Sequence, residues 1–196
     1  MTSAPEHATE FHGRRVLVGI TGGIAAYKSA TLVSRLAQAG ADVTVCMTEA
    51  ATRFITPLTL QALSANPVYT SPWQHVESRD PQHIALATRT DAVVVAPCTM
   101  NVMAKLAAGL TDDVVTLMLS AVDPARTPVV LAPAMNEVMW SRPSTQRNLG
   151  TLAGDGYRFV GPAEGWQACR AVGPGRMSEP EEILAAVRAA MVPARA

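Results

Sequence analysis

The sequence has no net charge: sixteen lysines and arginines face sixteen aspartates and glutamates across 196 residues. A nucleic-acid binder is expected to carry a basic excess on one face, so that class is disfavoured. No apolar stretch reaches bilayer-spanning length, which argues against a membrane role. The first twelve residues lack the apolar core of a secretion signal, and the expected location is the cytoplasm. Cysteine is sparse. Cys46, Cys98 and Cys169 are odd in number and widely spaced, with no CxxC pair. That fits reduced thiols and excludes a disulfide framework or a cysteine metal site. Lysine is sparser still, with Lys28 and Lys105 alone. The arginine bias reads as genome composition.

What remains is an ordinary globular composition, 48% hydrophobic and 16% charged, long enough for one domain with a real core. Residues 1–13 are polar and without periodicity, and are expected to be a disordered tail; 14–196 are expected to be one domain. Apolar runs at Arg14–Thr21, Ala41–Met47, Asp91–Cys98 and Thr127–Met135 read as buried strands, and Tyr157–Gly161 as a last one. Between them lie segments with helical spacing: Ile24–Ala39, Glu49–Phe54, Pro57–Leu63, His83–Arg89, Asn101–Ala108, Asp112–Ser120, Pro143–Ala153 and Glu181–Met191. Gly161–Arg176 reads as a glycine-rich loop. Strands without strict alternation, separated by helices, predict a doubly wound parallel α/β sheet, a three-layer sandwich of flavodoxin-like or Rossmann-like type.

In such sheets ligands sit beyond the carboxyl ends of the strands. Four loops are thereby selected. In "GITGGIAAYK" the glycines Gly22 and Gly23 turn strand into helix, next to amides and a positive dipole end that suit a phosphate. The spacing fits neither G-x-G-x-x-G nor the ATP-binding loop; a turn serving packing alone is the other reading. In "MTEAA" Thr48 reads first as a helix cap. In "APCTMNV" Thr99 and Asn101 stand at a helix start, as caps or as partners for a polar ring edge. Cys98 reads as a small wall residue before it reads as a nucleophile. In "LAPAMNEVMW" Met135, Met139 and Trp140 suit packing or a flat ligand, whereas packing has no need of Asn136. Outside these loops, His83 opens a helix, where a lone histidine is more often a cap or surface residue than a catalyst. Cys169 sits in "GWQACRAVGPGRM", a loop able to close over a site.

Together, "GITGGIAAYK", the histidine of "HIALA", "PAMNEVMW" and "QACRAVGPGRM" resemble the flavin-containing cysteine decarboxylases, over about residues 14 to 191. The resemblance implies FMN bound between subunits of a homotrimer, or of a dodecamer built from trimers. It implies flavin contacts from Gly22, Gly23 and Ile24, from Thr48, Glu49 and Ala50, from Thr99, Met100, Asn101 and Val102, and from Ala134. It implies catalytic roles for His83 beside the flavin, for Asn136 at the substrate carboxylate, and for Cys169 as proton donor on a flap. "PCTMNV" departs from the family's Pro-Ala-Ser-Ala-Asn-Thr. The implied reaction is decarboxylation of N-phosphopantothenoyl-cysteine to 4′-phosphopantetheine in coenzyme A synthesis. A phosphopantothenate–cysteine ligase is then expected from a separate polypeptide or from a portion absent here. A peptidyl-cysteine decarboxylase, a flavin prenyltransferase and a non-catalytic FMN-binding subunit are the alternatives.

Overall fold

The structure, a computed structural model, describes residues 10–73, 82–168, 170 and 172–192. Strands β1 (Arg15–Ile20), β2 (Asp42–Met47), β3 (Val68–Tyr69), β4 (Ala92–Cys98), β5 (Val129–Pro133) and β6 (Arg158–Phe159) form one parallel sheet. Its order is β3-β2-β1-β4-β5-β6. This is the doubly wound Rossmann order, and the winding reverses between β1 and β4.

The period-2 rule divides the sheet's side chains into two cores. Val16, Val18 and Ile20 of β1 join Val43, Val45, Val94 and Val130 on one face. There α1 (Ala26–Gln38), α2 (Pro57–Ser64) and α8 (Pro180–Met191) supply Leu32, Leu36, Leu60, Ile183 and Val187. Leu17, Val93, Val95 and Leu131 point the other way, under α3 (Gln82–Arg89), α4 (Met100–Ala108), α5 (Val114–Ser120) and α7 (Pro143–Gly154). Gly19 belongs to that second face because a Cβ there would sit 3.1 Å from Val115 Cγ1. A bare backbone at this point lets α5 lie close to the sheet. Burial on both faces explains why the strands read as continuous apolar runs without alternation.

Three segments differ from expectation. Phe11, inside the stretch expected to be disordered, is buried in the first core, and its N–H donates to the Ala39 carbonyl. The glycine-rich stretch forms an antiparallel hairpin of β7 (Ala163–Trp166) and β8 (Val172–Arg176), separate from the main sheet. One further helical turn, α6 (Glu137–Trp140), begins after residues 134–136, which follow β5.

Candidate functional site

The loops leaving β1, β2, β4 and β5 converge on one cavity of about 1170 Å³ at the carboxyl edge of the sheet. Gly22, Gly23, Ile24, Thr48, Glu49, Ala50, Thr99, Met100, Asn101, Val102, Ala134 and Asn136 all line it. A volume somewhat above the roughly 300–1,000 Å³ of ordinary ligand sites leaves room for a flat cofactor and a second molecule.

The loops are held to one another by buried polar bonds. Thr21, fully buried at the end of β1, donates its hydroxyl to the Pro97 carbonyl at 2.7 Å and accepts from the Thr99 N–H at 3.1 Å. Ser29 of α1 donates to the Ala96 carbonyl at 2.6 Å. The loops after β1 and β4 are therefore fixed together at the point where the winding reverses. Gly22 and Gly23 serve different ends. A Cβ on Gly22 would collide with Ala50, so this glycine lets the first and second loops touch. A Cβ on Gly23 would meet Thr99 Cγ2 at an ordinary 3.5 Å. Behind them, α1 starts from Ala25 with no side-chain cap. Ala26 N–H donates to the Gly23 carbonyl at 2.9 Å and Lys28 N–H to the Ala25 carbonyl at 3.0 Å, so what this end offers an anion at the cavity wall is chiefly the positive end of the helix dipole.

The threonines act as caps. Thr48 Oγ1 accepts from the Ala51 N–H at 3.3 Å, and Thr99 Oγ1 from the Val102 N–H at 3.5 Å. Asn101 is exposed within the cavity wall. Asn136 does have a packing role after all: its Oδ1 accepts from the Val138 N–H at 2.9 Å and caps α6. Met135 and Met139 line the cavity, whereas Trp140 packs against the second core.

Both lysines of the sequence stand on the cavity wall, which composition alone did not suggest. Lys28 donates to Glu179 Oε1 at 2.9 Å and to the Met177 carbonyl at 3.3 Å. That bond, ahead of its charge and that of Arg176, holds the Glu179 carboxyl below the usual carboxylate range. Lys105 reaches Asp112 at 2.7 Å and Asp113 at 2.9 Å. The bond to Asp112 is the main reason the ammonium's pKa is raised. Each cation arrives with its own counter-ion, so the cavity offers no bare positive charge from these two.

Two candidate residues lie elsewhere. Cys98 is buried in the second core and does not line the cavity, so the wall reading is corrected. Burial pushes its thiol up to about 12. His83, in the first turn of α3, is half-buried and outside the cavity of its own chain. Cys169 lies outside the described residues. Its neighbour Ala168 lines the cavity, as do Trp166 and Gln167 before it and Gly175 and Arg176 of β8. The hairpin thus forms one wall. Sequence reasoning did not single out Thr21, Lys28 or Gln167; the place of Lys28 in "GITGGIAAYK" was the available signal for it.

A family model described as Flavoprotein matches residues 4–192. The coenzyme A biosynthesis bifunctional protein CoaBC of Bacillus subtilis is 48% identical over 173 residues, 88% of this chain and 42% of that protein. Its Vibrio cholerae counterpart is 49% identical over 173 residues, 88% and 43% respectively. The chain thus spans less than half the length of these relatives. Among solved structures, a PPC decarboxylase mutant complexed with pantothenoylaminoethenethiol superposes with a TM-score of 0.81 at 31% identity, covering 90% of this chain and 97% of that one. The FMN-dependent cysteine decarboxylase SpaF gives 0.80 at 30% identity, covering 92% and 97%.

Proposed function

Because the chain belongs to the flavoprotein family, we propose that it binds FMN and decarboxylates N-phosphopantothenoyl-cysteine to 4′-phosphopantetheine in coenzyme A biosynthesis. The observation that carries this reading is the convergence, on one cavity, of an anion-suited loop at Gly22–Ile24, an amide at Asn136 and a hairpin wall leading to Cys169. The residues fit the cofactor. The uncapped start of α1 suits its phosphate. The apolar surfaces of Ile24, Met100 and Val102 suit its ring, and the exposed amide of Asn101 suits a polar ring edge.

The chemistry that FMN supplies when bound is reversible hydride acceptance, by which the cysteinyl thiol end becomes a thioaldehyde whose sulfur can take up the electrons released with CO2. The chain's own residues bind, orient and move protons. Asn136 hydrogen-bonds the substrate carboxylate through an uncharged donor. A full positive charge would stabilise the carboxylate more than the transition state and so oppose its loss. Cys169, which lies between β7 and β8 in the sequence, returns a proton to carbon at the end. The hairpin excludes water meanwhile.

His83 assists thiol deprotonation, its side-chain type being suited to proton transfer near neutrality. Since it stands outside its own chain's cavity, that role requires a second copy. Assembly as a homotrimer or dodecamer with FMN between subunits supplies one. Ile24, Tyr27 and Val138, each 62% exposed, are the kind of apolar surface such assembly covers. A phosphopantothenate–cysteine ligase acts beforehand to make the substrate.

The test is mass spectrometry of phosphopantothenoyl-cysteine incubated with the yellow, FMN-loaded protein. The expected product is lighter by one CO2. A peptide ending in cysteine, offered in parallel, is expected to be left intact. Turnover of the peptide alone would replace this substrate with a peptidyl one, and a protein that stays colourless with added FMN would remove the reading.

A further inference from the structure

Gln167 leaves β7 two residues before Cys169 and is buried. Its Oε1 accepts from the Glu137 N–H at 3.3 Å and from Asn136 Nδ2 at 3.4 Å. Its Nε2 donates to the carbonyls of Pro174 at 2.9 Å and Gly173 at 3.3 Å. A glutamine has one acceptor end and one donor end. Here the acceptor end meets the start of α6 and the donor end meets β8. Turning the amide over would set two carbonyls against its oxygen and an N–H against its nitrogen. The partners therefore fix its orientation. Asn136 is fixed in the same way: Val138 N–H claims Oδ1, which leaves Nδ2 as the end turned toward Gln167.

The main chain brings the same two segments together. Met135 N–H donates to the Gly175 carbonyl at 2.9 Å. Gly175 has φ +129°, and a Cβ there would collide with the Met135 carbonyl. The loop bearing Asn136 and the β7–β8 hairpin are thus packed backbone to backbone, with Gln167 as the side chain that bonds to both.

We propose that Gln167 is a positioning residue: it aims the amide donor of Asn136 at the substrate carboxylate and couples that donor to the β7–β8 hairpin. The coupling stands on the geometry alone. Its consequence for catalysis rests on the decarboxylase reading above. The carboxylate donor and the hairpin that covers it are then set as one unit. Substrate that seats its carboxylate on Asn136 also steadies the hairpin, and the hairpin's placement sets the direction of the asparagine.

The experiment uses the full chain with added FMN and two substitutions, Gln167→Met and Gln167→Glu. Methionine keeps the length and loses every hydrogen bond. Glutamate keeps the acceptor for Asn136 and Glu137 and loses the donor for β8. Amide hydrogen exchange is followed on peptides covering residues 134–140, 172–177 and the core strand β4. In Gln167→Met, exchange is expected to be about tenfold faster in the first two peptides and unchanged in β4. In Gln167→Glu, acceleration is expected at 172–177 only. KM for phosphopantothenoyl-cysteine is expected to rise about tenfold in Gln167→Met, with no further rise when Asn136→Ala is already present. Unchanged exchange at 134–140 in Gln167→Met would overturn the proposal, as would a KM effect fully additive with Asn136→Ala. A wild-type chain with no turnover would remove the decarboxylase reading, and the exchange result would still decide the coupling.

Discussion

Lys28 Nζ lies 2.9 Å from Glu179 Oε1, across 151 positions of sequence. The bond fastens α1, whose start frames the phosphate-suited loop, to the segment that leaves the hairpin; Arg176 reaches the same carboxylate. Lys28 holds the Glu179 pKa down in the folded chain. A depressed folded pKa contributes stability above the unfolded value of about 4.3, and that stability is lost as pH falls through the folded value. Solvent screens the half-exposed carboxylate, so the effect is modest. Thermal unfolding between pH 6 and 3 is expected to show a steeper acid loss for the wild type than for Lys28→Met. Parallel curves for the two would show that the pair contributes nothing.

The two glycines of the first loop are expected to part company on substitution. Gly22→Ala sets a Cβ against Ala50, whose backbone has to move. That overpacking should cost about 1–3 kcal/mol and open the loop against its neighbour. Gly23→Ala meets only an ordinary contact with Thr99. The flavin absorbance of purified protein is therefore expected to fall strongly in Gly22→Ala and to persist in Gly23→Ala. Equal loss in both would mean that close ligand approach, not loop packing, selects glycine at position 22.

The central strands and most helices were legible because their signals are local. Val-rich runs such as residues 92–95 fit a two-face-buried strand, and the glycine after α1, Gly40, has the φ of +91° that a helix-ending residue takes. The hairpin was not legible. Its strands bury little, with Trp166 and Val172 exposed, and its glycines and proline read as loop. Its placement against the cavity comes from the bond of Gln167 to Asn136 and from the Gly175–Met135 contact, both of which link residues about 30 or more positions apart. The loops around the cavity were legible from the strand-end rule. The place of His83 was not, because nothing in a run of residues tells which side of the sheet edge a helix start will face.

Asp113 carries two loads that one substitution removes together. Its Oδ1 accepts from the Thr116 N–H at 2.9 Å in a reciprocal capping box on α5, and its Oδ2 accepts from Lys105 at 2.9 Å. Loss of a cap costs about 1 kcal/mol. Partial loss of counter-charge at the mostly buried Lys105 adds a further cost, softened because Asp112 remains at 2.7 Å. Asp113→Ala is expected to lower stability in urea by about 2 kcal/mol, and Asp113→Ser, which keeps the cap, by about half as much. Equal losses would show that the cap contributes nothing and that the whole cost is the ion pair, whereas an unchanged Asp113→Ser would show that the ion pair is silent.

Cys98 is expected to be chemically silent while the chain is folded. It is fully buried, and its thiol is pushed up to about 12 by that burial. At pH 8 the thiol form then prevails over the thiolate, the form that reacts. Cys46, in β2, is equally buried and its thiol is raised further, chiefly by desolvation. Brief iodoacetamide treatment at pH 8 followed by peptide mapping should leave both unlabelled in the native protein and label both in denaturant. A helix N-terminus that activated Cys98 would instead give rapid native labelling. Cys98→Ala should retain flavin, because the thiol does not face the cavity. Cys98→Ser should cost about 1–3 kcal/mol, since it buries a hydroxyl in the apolar second core.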